Sequence, residues 1–306
     1  MKDRHFRHML EDQWSRGNFV CVGLDSQLDK IPESARVGGN ECEAHEGNTI
    51  VAFNRAIVNA TYDLVCAYKL NSAPYEAEGV GGMEALYSTI ADIHAIAPDV
   101  LVILDAKRGD ISTTNVSYAK AAFDFLQADA ITVNPYLGAE ALQPFLEREE
   151  KGVIVLCRTS NPGAGEFQDL KIRLTYEMVE CVELAGRRIP FESYVRGFFT
   201  MYQYIAYRVS MIWNKNGNCA LVVGATCPDE LREVRRLVGD MPILIPGIGA
   251  QGGDLEKTVM AGRDSRGQGM IINSSRGIIF ASEGADFAEA ARRETEKLRD
   301  LINQYR

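Results

Sequence analysis

Two carboxylates and an ammonium group lie close together in the segment Asp105-Ala106-Lys107-Arg108-Gly109-Asp110, directly after the apolar run 100–104. The run is short, rich in branched residues and bounded by glycine downstream, which is typical of a strand buried on both faces. Side chains alternate along a strand, so Asp105 and Lys107 are expected on one face, with Asp110 in the turn beyond. Charged groups at the end of a buried strand cost free energy unless they pair with each other or bind a substrate. The segment therefore predicts a functional site; the alternative is a solvated salt-bridge cluster that opens a loop.

Two further charged residues follow or interrupt apolar runs. Asp25 comes directly after Gly23 and Leu24, and Lys69 lies inside the run 67–70. A lone aspartate after a strand is more often a turn or helix cap. A lysine inside an apolar strand needs an anionic partner or a cavity, so Lys69 favours a functional role. Together with the segment 105–110, these residues form a set of alternating charges that packing alone explains poorly.

Three later segments have a different chemistry. Residues 158–165 form a loop rich in hydroxyl groups and glycine, which can hydrogen-bond a polar ring and move. Residues 246–253 and 273–277 are rich in glycine and serine, and the second contains Arg276. Glycine permits close backbone approach, and backbone N–H groups with a forked cation favour a phosphate. We expect a phosphate site there, although tight turns also require glycine.

The elements that must position these residues alternate between strands and helices. Helix-like spacing of apolar residues occurs at 82–96, 114–126, 228–238, 255–261 and about 284–304. Strand candidates occupy residues 19–24, 64–70, 100–104, 130–133, 153–157, 220–223, 243–245 and 269–272. Eight such units of nearly continuous apolar strands predict an α/β fold that closes into a single (β/α)8 TIM barrel. A doubly wound open sheet would normally show a Gly-x-Gly-x-x-Gly turn after the first strand, and Leu24-Asp25-Ser26 stands there instead.

The expected organisation is one domain over residues 1–306. A helical extension is expected at about 1–17, and the aromatic-rich segment at about 165–217 is expected to contain more than one helix. In a (β/α)8 barrel the chemistry lies where strands end and the following loops begin. The charged residues and both glycine-rich segments follow strands, so they are predicted to meet at one mouth.

Composition narrows the function classes. The 306 residues have a formal net charge of −9, which argues against a nucleic-acid partner because such a partner needs a clustered basic face. The longest apolar runs are far shorter than the roughly 20 residues of a membrane span, and residues 1–8 lack the apolar part of a secretory signal. Seven scattered cysteines predict a reduced, cytoplasmic setting. Of the four histidines, only His45, near Cys42 and three glutamates, resembles a cluster of metal ligands; it lies in a polar loop without tetrahedral spacing, so no metal site is expected.

Several motifs together resemble those of the orotidine 5′-phosphate decarboxylase family, in its longer bacterial-type branch. The resemblance extends over nearly the whole chain and rests on Val22-Gly23-Leu24-Asp25, Lys69, residues 104–111 with Thr114, Thr159-Ser160-Asn161-Pro162-Gly163, residues 222–226, residues 246–253 and Ser274-Ser275-Arg276. The Asp-x-Lys-x-x-Asp element alone defines only a superfamily, which includes sugar-phosphate decarboxylases and synthases. Lys69 and the Ser-Asn-Pro-Gly loop narrow the match, and the pattern around 186–211 departs from it.

The resemblance implies a carboxy-lyase that converts orotidine 5′-monophosphate to uridine 5′-monophosphate and CO2 without a cofactor or metal. Lys107 is implied as the ammonium beside C6 and the proton donor, with Asp105 near the departing carboxylate. Lys69 is implied to orient Asp105 and reach the ribose, and Asp25 to accept from the ribose. Asp110 is implied to enter the site of the neighbouring subunit, which requires a homodimer.

The same resemblance implies the remaining substrate contacts. Thr114 is expected to cross the interface with Asp110, and Ser160 to contact the pyrimidine edge. The phosphate contacts are expected from Gln251, Arg276, Gly252 and Ser275. Two alternatives stay open: a magnesium-dependent sugar-phosphate decarboxylase or synthase on the same scaffold, and a catalytically silent nucleotide-binding barrel. The first needs a metal-binding carboxylate near Lys69-Leu70-Asn71, and the second needs a catalytic charge to be missing.

Overall fold

The computed structural model of the chain describes residues 4–37, 43–249 and 253–306. Its strands are β1 (Val20–Gly23), β2 (Val65–Asn71), β3 (Leu101–Arg108), β4 (Ala130–Val133), β5 (Gly152–Arg158), β6 (Lys171–Arg173), β7 (Phe198–Thr200), β8 (Cys219–Val223), β9 (Ile243–Pro246) and β10 (Met270–Ser274). Eight of these close into a barrel in the order β1, β10, β9, β8, β5, β4, β3, β2, and every neighbouring pair is parallel. The predicted barrel is confirmed.

Helices surround the barrel and cover the outward faces of its strands. They are α1 (Phe6–Ser15), α2 (Glu43–Thr61), α3 (Ser72–Ala77), α4 (Gly79–Ile96), α5 (Ser112–Ala119), α6 (Gly138–Leu146), α7 (Gly165–Gln168), α8 (Tyr176–Leu184), α9 (Phe191–Arg196), α10 (Met201–Arg208), α11 (Pro228–Val238), α12 (Leu255–Gly262), α13 (Arg276–Ile279) and α14 (Phe287–Tyr305). Two π-helical stretches, Lys120–Phe125 and Val209–Trp213, continue α5 and α10. No helix in the described ranges is both long and apolar enough to span a membrane.

The helix α1 covers the N-terminal end of the barrel. The Phe6 backbone N–H donates to the carbonyl of Glu150 at 2.9 Å, and the Phe6 ring packs so closely that a Cβ on Gly152 would lie 2.4 Å from it. The indole Nε1 of Trp14 donates to the carbonyl of Met270 at 2.8 Å. Because α1 occupies the end where the strands start, the opposite end is the one available for a site.

The buried guanidinium of Arg235 connects the ends of α11 and α12 to the segments that precede β9 and β10. Arg235 in α11 donates to the carbonyl oxygens of Gly239, Met241, Gly262 and Gly269 at 2.7–2.8 Å. Burial lowers its pKa to about 10. The guanidinium group is planar and its N–H groups can donate to several fixed carbonyl oxygens at once, so Arg235 stabilises the segments that precede β9 and β10.

The segment between β5 and β8 contains more than helices. β6 and β7 pair antiparallel outside the barrel, with Ile172 opposite Phe199. Each strand has three residues, too few for an alternation pattern to be recognised in the sequence. The sequence predicted more than one helix for this region, and the short ribbon is an additional feature that it did not predict.

Candidate active site

Four charged side chains form a continuous series at the C-terminal ends of β1, β2 and β3. Lys69 Nζ lies 3.4 Å from Asp25 Oδ1 and 3.0 Å from Asp105 Oδ2. Lys107 Nζ lies 2.7 Å from the other oxygen of that carboxylate, Asp105 Oδ1. Because β2 lies between β1 and β3 in the barrel, the lysine inside its apolar run lies between both aspartates. Four members of the predicted alternating set are therefore in direct contact, whereas the fifth, Asp110, has no ion pair with them among the described residues.

The strand β3 is irregular where it presents Asp105 and Lys107. Leu104 pairs with Ile131 and Arg108 pairs with Val133, so residues 105–107 lie opposite one residue of β4. The backbone of Lys107 is left-handed, with φ 49°. A residue with a Cβ adopts this conformation at a cost of about 1–2 kcal/mol. The two side chains meet, as the sequence predicted, but through a bulge rather than regular alternation.

Burial differs along the charged series. The side chain of Lys69 is 5% exposed and that of Asp105 is 13% exposed, whereas that of Lys107 is 50% exposed. The Lys69 ammonium is thus enclosed by its two carboxylates. The Lys107 ammonium combines a fixed anionic partner with an open side, which is the arrangement required to act on a bound molecule.

The protonation states follow from this packing. Burial by itself would lower the pKa of Lys69, but the carboxylates of Asp105 and Asp25 outweigh it, and the pKa lies above its usual value. Burial would likewise raise the pKa of Asp105, but the ammonium groups of Lys69 and Lys107 hold it well below its usual value. At neutral pH Asp105 is an anion and Lys69 a cation.

A cavity of about 190 Å³ connects the charged series to the ends of β10 and β9, which come next to β1 in the barrel. Asp25, Lys69 and Asp105 lie on one side of it. The other lining residues come from β2, β9, β10 and the segments that follow them: Asn71, Pro246, Gly247, Ile248, Asn273, Ser275 and Arg276. One space therefore has fixed charges at one side and an arginine with a glycine turn at the other.

The turn after β9 requires glycine at two positions. Gly247 has φ 106° and Gly249 has φ 83°, which residues with a Cβ rarely adopt. Ser275 lies beside β1 and donates its hydroxyl to the carbonyl of Gly23 at 2.9 Å. Arg276 is exposed at the cavity. The predicted contacts Gln251 and Gly252 lie outside the described residues.

The loop after β5 is fastened by a glutamine. The backbone N–H of Thr159 donates to Gln168 Oε1 at 2.9 Å, and Gln168 Nε2 donates to Thr159 Oγ1 at 2.8 Å. Ser160 packs against the end of β8, where a Cβ on Gly224 would lie 2.8 Å from its Cβ. Ser160 is half-buried and is not one of the residues that line the charged cavity, so its contact with the pyrimidine edge stays a prediction.

Asp110 and Thr114 lie apart from the charged series of their own chain. Asp110 is exposed, and its Oδ1 accepts the Ile111 backbone N–H at 2.6 Å. The buried Asn115 braces this loop by donating to the carbonyl of Asp110 at 2.7 Å. Thr114 is half-buried in α5. In the described chain no hydrogen bond or ion pair joins Asp110 to Lys107.

Sequence reasoning missed polar residues of this site. Thr132 in β4 is 1% exposed and donates to Asp105 Oδ1 at 2.8 Å. A threonine in an apolar strand is typical of β structure, so its sequence context had no signal of a site. Asn71 and Asn273 line the cavity and directly follow or end apolar runs, which is the signal that identified Asp25.

No group of three or more potential metal-ligating side chains lies in a metal-binding arrangement within the described residues. The carboxylates at the barrel mouth, Asp25 and Asp105, are both within ion-pair distance of the Lys69 ammonium. Independence from a metal stays a prediction.

Comparisons with known proteins agree with the family resemblance of the sequence motifs. A sequence model of the orotidine 5′-phosphate decarboxylase / HUMPS family matches residues 19–293. The orotidine 5′-phosphate decarboxylase of Ralstonia nicotianae is 47% identical over 302 residues, covering 98% of this chain and 99% of that protein. The protein of the same name from Cellvibrio japonicus is 44% identical over 299 residues, covering 97% and 98%.

Solved structures show the same architecture. A putative orotidine-monophosphate decarboxylase from Toxoplasma gondii superimposes with a TM-score of 0.77 at 35% identity, covering 99% of both chains. Leishmania donovani OMP decarboxylase gives a TM-score of 0.73 at 32% identity, covering 97% of this chain and 99% of that one.

Fold and site together define a (β/α)8-barrel enzyme with its charged groups at the C-terminal mouth of the barrel. The chain belongs to the orotidine 5′-phosphate decarboxylase / HUMPS family. The resemblance to the bacterial-type branch, drawn above from the motifs, is confirmed.

Proposed function

We propose that the chain is a carboxy-lyase that converts orotidine 5′-monophosphate to uridine 5′-monophosphate and CO2, the last step of UMP biosynthesis, and that it needs no cofactor. The observation that supports this most directly is the Lys107 ammonium, half-exposed and in contact with Asp105 at the barrel mouth. Relatives named for this activity match the chain at 44–47% identity over nearly its full length.

The proposed decarboxylation forms a carbanion that the protein must stabilise. When the bond between C6 and the carboxylate breaks, the electron pair stays on C6, where the pyrimidine ring delocalises it poorly. A fixed cation beside C6 stabilises that charge, because preorganised groups need no reorganisation during the reaction. Lys107 supplies the cation and then transfers a proton from Nζ to C6, and the neutral amine regains its proton from water.

Asp105 and Lys69 hold the cation in place. The low pKa of Asp105 keeps it ionised, so it accepts from Lys107 at one oxygen and from Lys69 at the other. Lys69 is enclosed and therefore orients Asp105, while its contact with Asp25 places a carboxylate near the ribose position. These roles for Asp105, Lys69 and Asp25 belong to the proposal.

Phosphate and pyrimidine contacts complete the proposed site. Arg276 and the turn with Gly247 line the same cavity as Lys69 and Asp105 but come from β9 and β10, so we place them away from the reacting carbon. We assign the phosphate to this side, with Gln251, Gly252 and Ser275 as further contacts, and the pyrimidine edge to Ser160. Binding energy from such remote groups can drive loop closure and raise the rate of the chemical step.

A homodimer would complete each site with Asp110 and Thr114 from the other subunit. Asp110 is exposed and is followed by exposed apolar side chains, including Ile111 at 59% and Val116 at 58%. The same helix continues to Phe125, whose ring lies 5.4 Å from that of Tyr87.

A groove of about 680 Å³ lies beside these two rings, lined by Glu76, Gly79, Val80, Met83, Glu84, Tyr87, Ser88 and Phe125. Large exposed apolar patches mark protein interfaces.

The two alternative functions, a sugar-phosphate enzyme and a silent nucleotide-binding barrel, require different residues at the site. The matched family also includes HUMPS members, and a sugar-phosphate enzyme of this scaffold would need a metal-binding carboxylate near the end of β2. Here that end presents Lys69, whose ammonium fills the space between two aspartates. A silent nucleotide-binding barrel would lack a catalytic charge, and Asp105, Lys107 and Asp110 are all present.

The deciding experiment follows the ultraviolet absorbance of orotidine 5′-monophosphate during incubation with the chain in excess chelator. We expect loss of substrate absorbance at an undiminished rate. A preparation that is inactive in chelator and recovers with magnesium on a sugar phosphate would move the assignment to the other branch. A cytoplasmic location stays a prediction, consistent with the free thiols of the described cysteines.

A further inference from the structure

A single residue of β4 lies opposite the bulge of β3. The ladder between the two strands is regular up to Leu104 and Ile131, and resumes at Arg108 and Val133. Thr132 alone therefore faces the three residues 105–107. A bulge leaves backbone groups without ladder partners, and these groups need other ones when they are buried.

The hydroxyl of Thr132 supplies that partner and a second contact. Its Oγ1 accepts the backbone N–H of Lys107 at 3.0 Å and donates to Asp105 Oδ1 at 2.8 Å. A hydroxyl has one proton and two lone pairs, so it can accept from the backbone N–H and donate to the carboxylate at the same time. The direction of each bond is fixed because an N–H group can only donate and a carboxylate can only accept. The residue is 1% exposed and its χ1 is restricted by β-branching, so the oxygen is fixed.

We propose that Thr132 is a positioning residue for the decarboxylation, an inference that rests on the proposed function. Its hydroxyl connects the backbone that bears the Lys107 ammonium to the carboxylate that orients this ammonium. It thereby holds Lys107 in its left-handed conformation and fixes the distance between Asp105 and Lys107. The proton of the Thr132 hydroxyl goes to Asp105 and the hydroxyl oxygen accepts from Lys107, so Thr132 acts through these two residues and not on the substrate.

Substitutions can separate this role from packing. Thr132→Val keeps the shape and removes the hydroxyl, Thr132→Ser keeps the hydroxyl and removes a methyl group, and Thr132→Ala removes both. Positioning predicts that kcat is near wild type in the serine variant and reduced about 10- to 100-fold in the valine and alanine variants, because small misplacements of reacting groups cost up to about 10²-fold. Packing alone predicts the opposite order, with valine near wild type and serine impaired.

The measurements are kcat and KM for orotidine 5′-monophosphate, together with thermal unfolding of each variant. We expect KM to stay within about threefold of wild type, since the hydroxyl contributes through the chemical step. A matched control is Thr295→Val, which removes a buried hydroxyl that donates to the carbonyl of Ala291 in α14, a helix that contributes no residue to the lining of the cavity. It should leave kcat unchanged.

The outcomes separate the inference from the function on which it rests. A wild-type chain that does not turn over the nucleotide overturns the function. An active wild type with a valine or alanine variant within twofold of it, or with a serine variant as impaired as alanine, overturns the role of Thr132. If the valine variant fails to fold, the comparison of serine with alanine gives the same decision.

Discussion

Lys107 Nζ lies 2.7 Å from Asp105 Oδ1 although one residue separates them on the same strand. The left-handed backbone of Lys107 and the bulge between Leu104 and Arg108 make this contact. In a regular strand the two side chains would stand side by side, roughly perpendicular to the sheet. The irregularity directs an ammonium onto a carboxylate and leaves its other side open.

The first prediction concerns the ammonium itself. Lys107→Ala should lower kcat on orotidine 5′-monophosphate by about 10⁴-fold or more, because it removes both the proton donor and the fixed cation. The control is Lys297→Ala, an exposed lysine of α14. A Lys107→Ala variant that keeps a tenth of wild-type turnover would exclude this lysine from the chemistry.

The second prediction tests the shared site. Lys107→Ala and Asp110→Ala chains, each inactive alone, should regain activity when mixed and allowed to exchange subunits. In a two-fold dimer, half of the randomly formed pairs are mixed and each has one intact site, so about a quarter of wild-type sites should return. Steady-state turnover after exchange measures this.

The matched control for that experiment mixes Lys107→Ala with Lys69→Ala. Both residues serve the site of their own chain, so every site in the mixed dimer has a defect and no activity should return. A mixture of Lys107→Ala and Asp110→Ala that demonstrably exchanges subunits but stays inactive would show that Asp110 serves its own chain.

The third prediction follows from the lowered pKa of Asp105. A carboxyl whose pKa is lower in the folded state stabilises the fold above its unfolded pKa of about 3.9, and this contribution is lost as pH falls. Asp105→Asn removes one partner of a buried ion pair and should reduce the free energy of unfolding by about 3 kcal/mol at pH 7. Urea unfolding at pH 7, 5, 4 and 3 should show that the difference from wild type narrows below about pH 4. A difference that grows toward acid would contradict the assignment.

The fourth prediction concerns stability without catalysis. Arg235→Leu removes the guanidinium from four carbonyl oxygens, of which that of Gly269 keeps the Ile243 backbone N–H as a donor. It should lower the free energy of unfolding by about 3–5 kcal/mol, with kcat unchanged at temperatures where the variant is folded. Arg232→Leu, on the same helix, removes only an exposed pair with Asp229 and should cost at most about 1 kcal/mol. Equal effects of the two substitutions in urea unfolding would disprove the structural role of Arg235.

The sequence by itself determined the barrel and the residues at its mouth. Eight apolar runs with intervening helical patterns are local signals, and the charged candidates Asp25, Lys69 and Asp105 directly follow or interrupt such runs. The position of Lys69 between Asp25 and Asp105 follows from strand order once the barrel closes. Local periodicity is enough for these features because a buried parallel strand must be apolar along its whole length.

Only the tertiary structure decided how the charges are held. The bulge opposite Thr132 and the left-handed Lys107 depend on the pairing of β3 with β4, and the position of the loop at Asp110 depends on the hydrogen bond from Asn115. The ribbon of β6 and β7 joins residues 171–173 to 198–200 in the same way. Register between segments far apart in sequence is set by side-chain packing and by the hydrogen bonds left to satisfy, and no local pattern of residues specifies it.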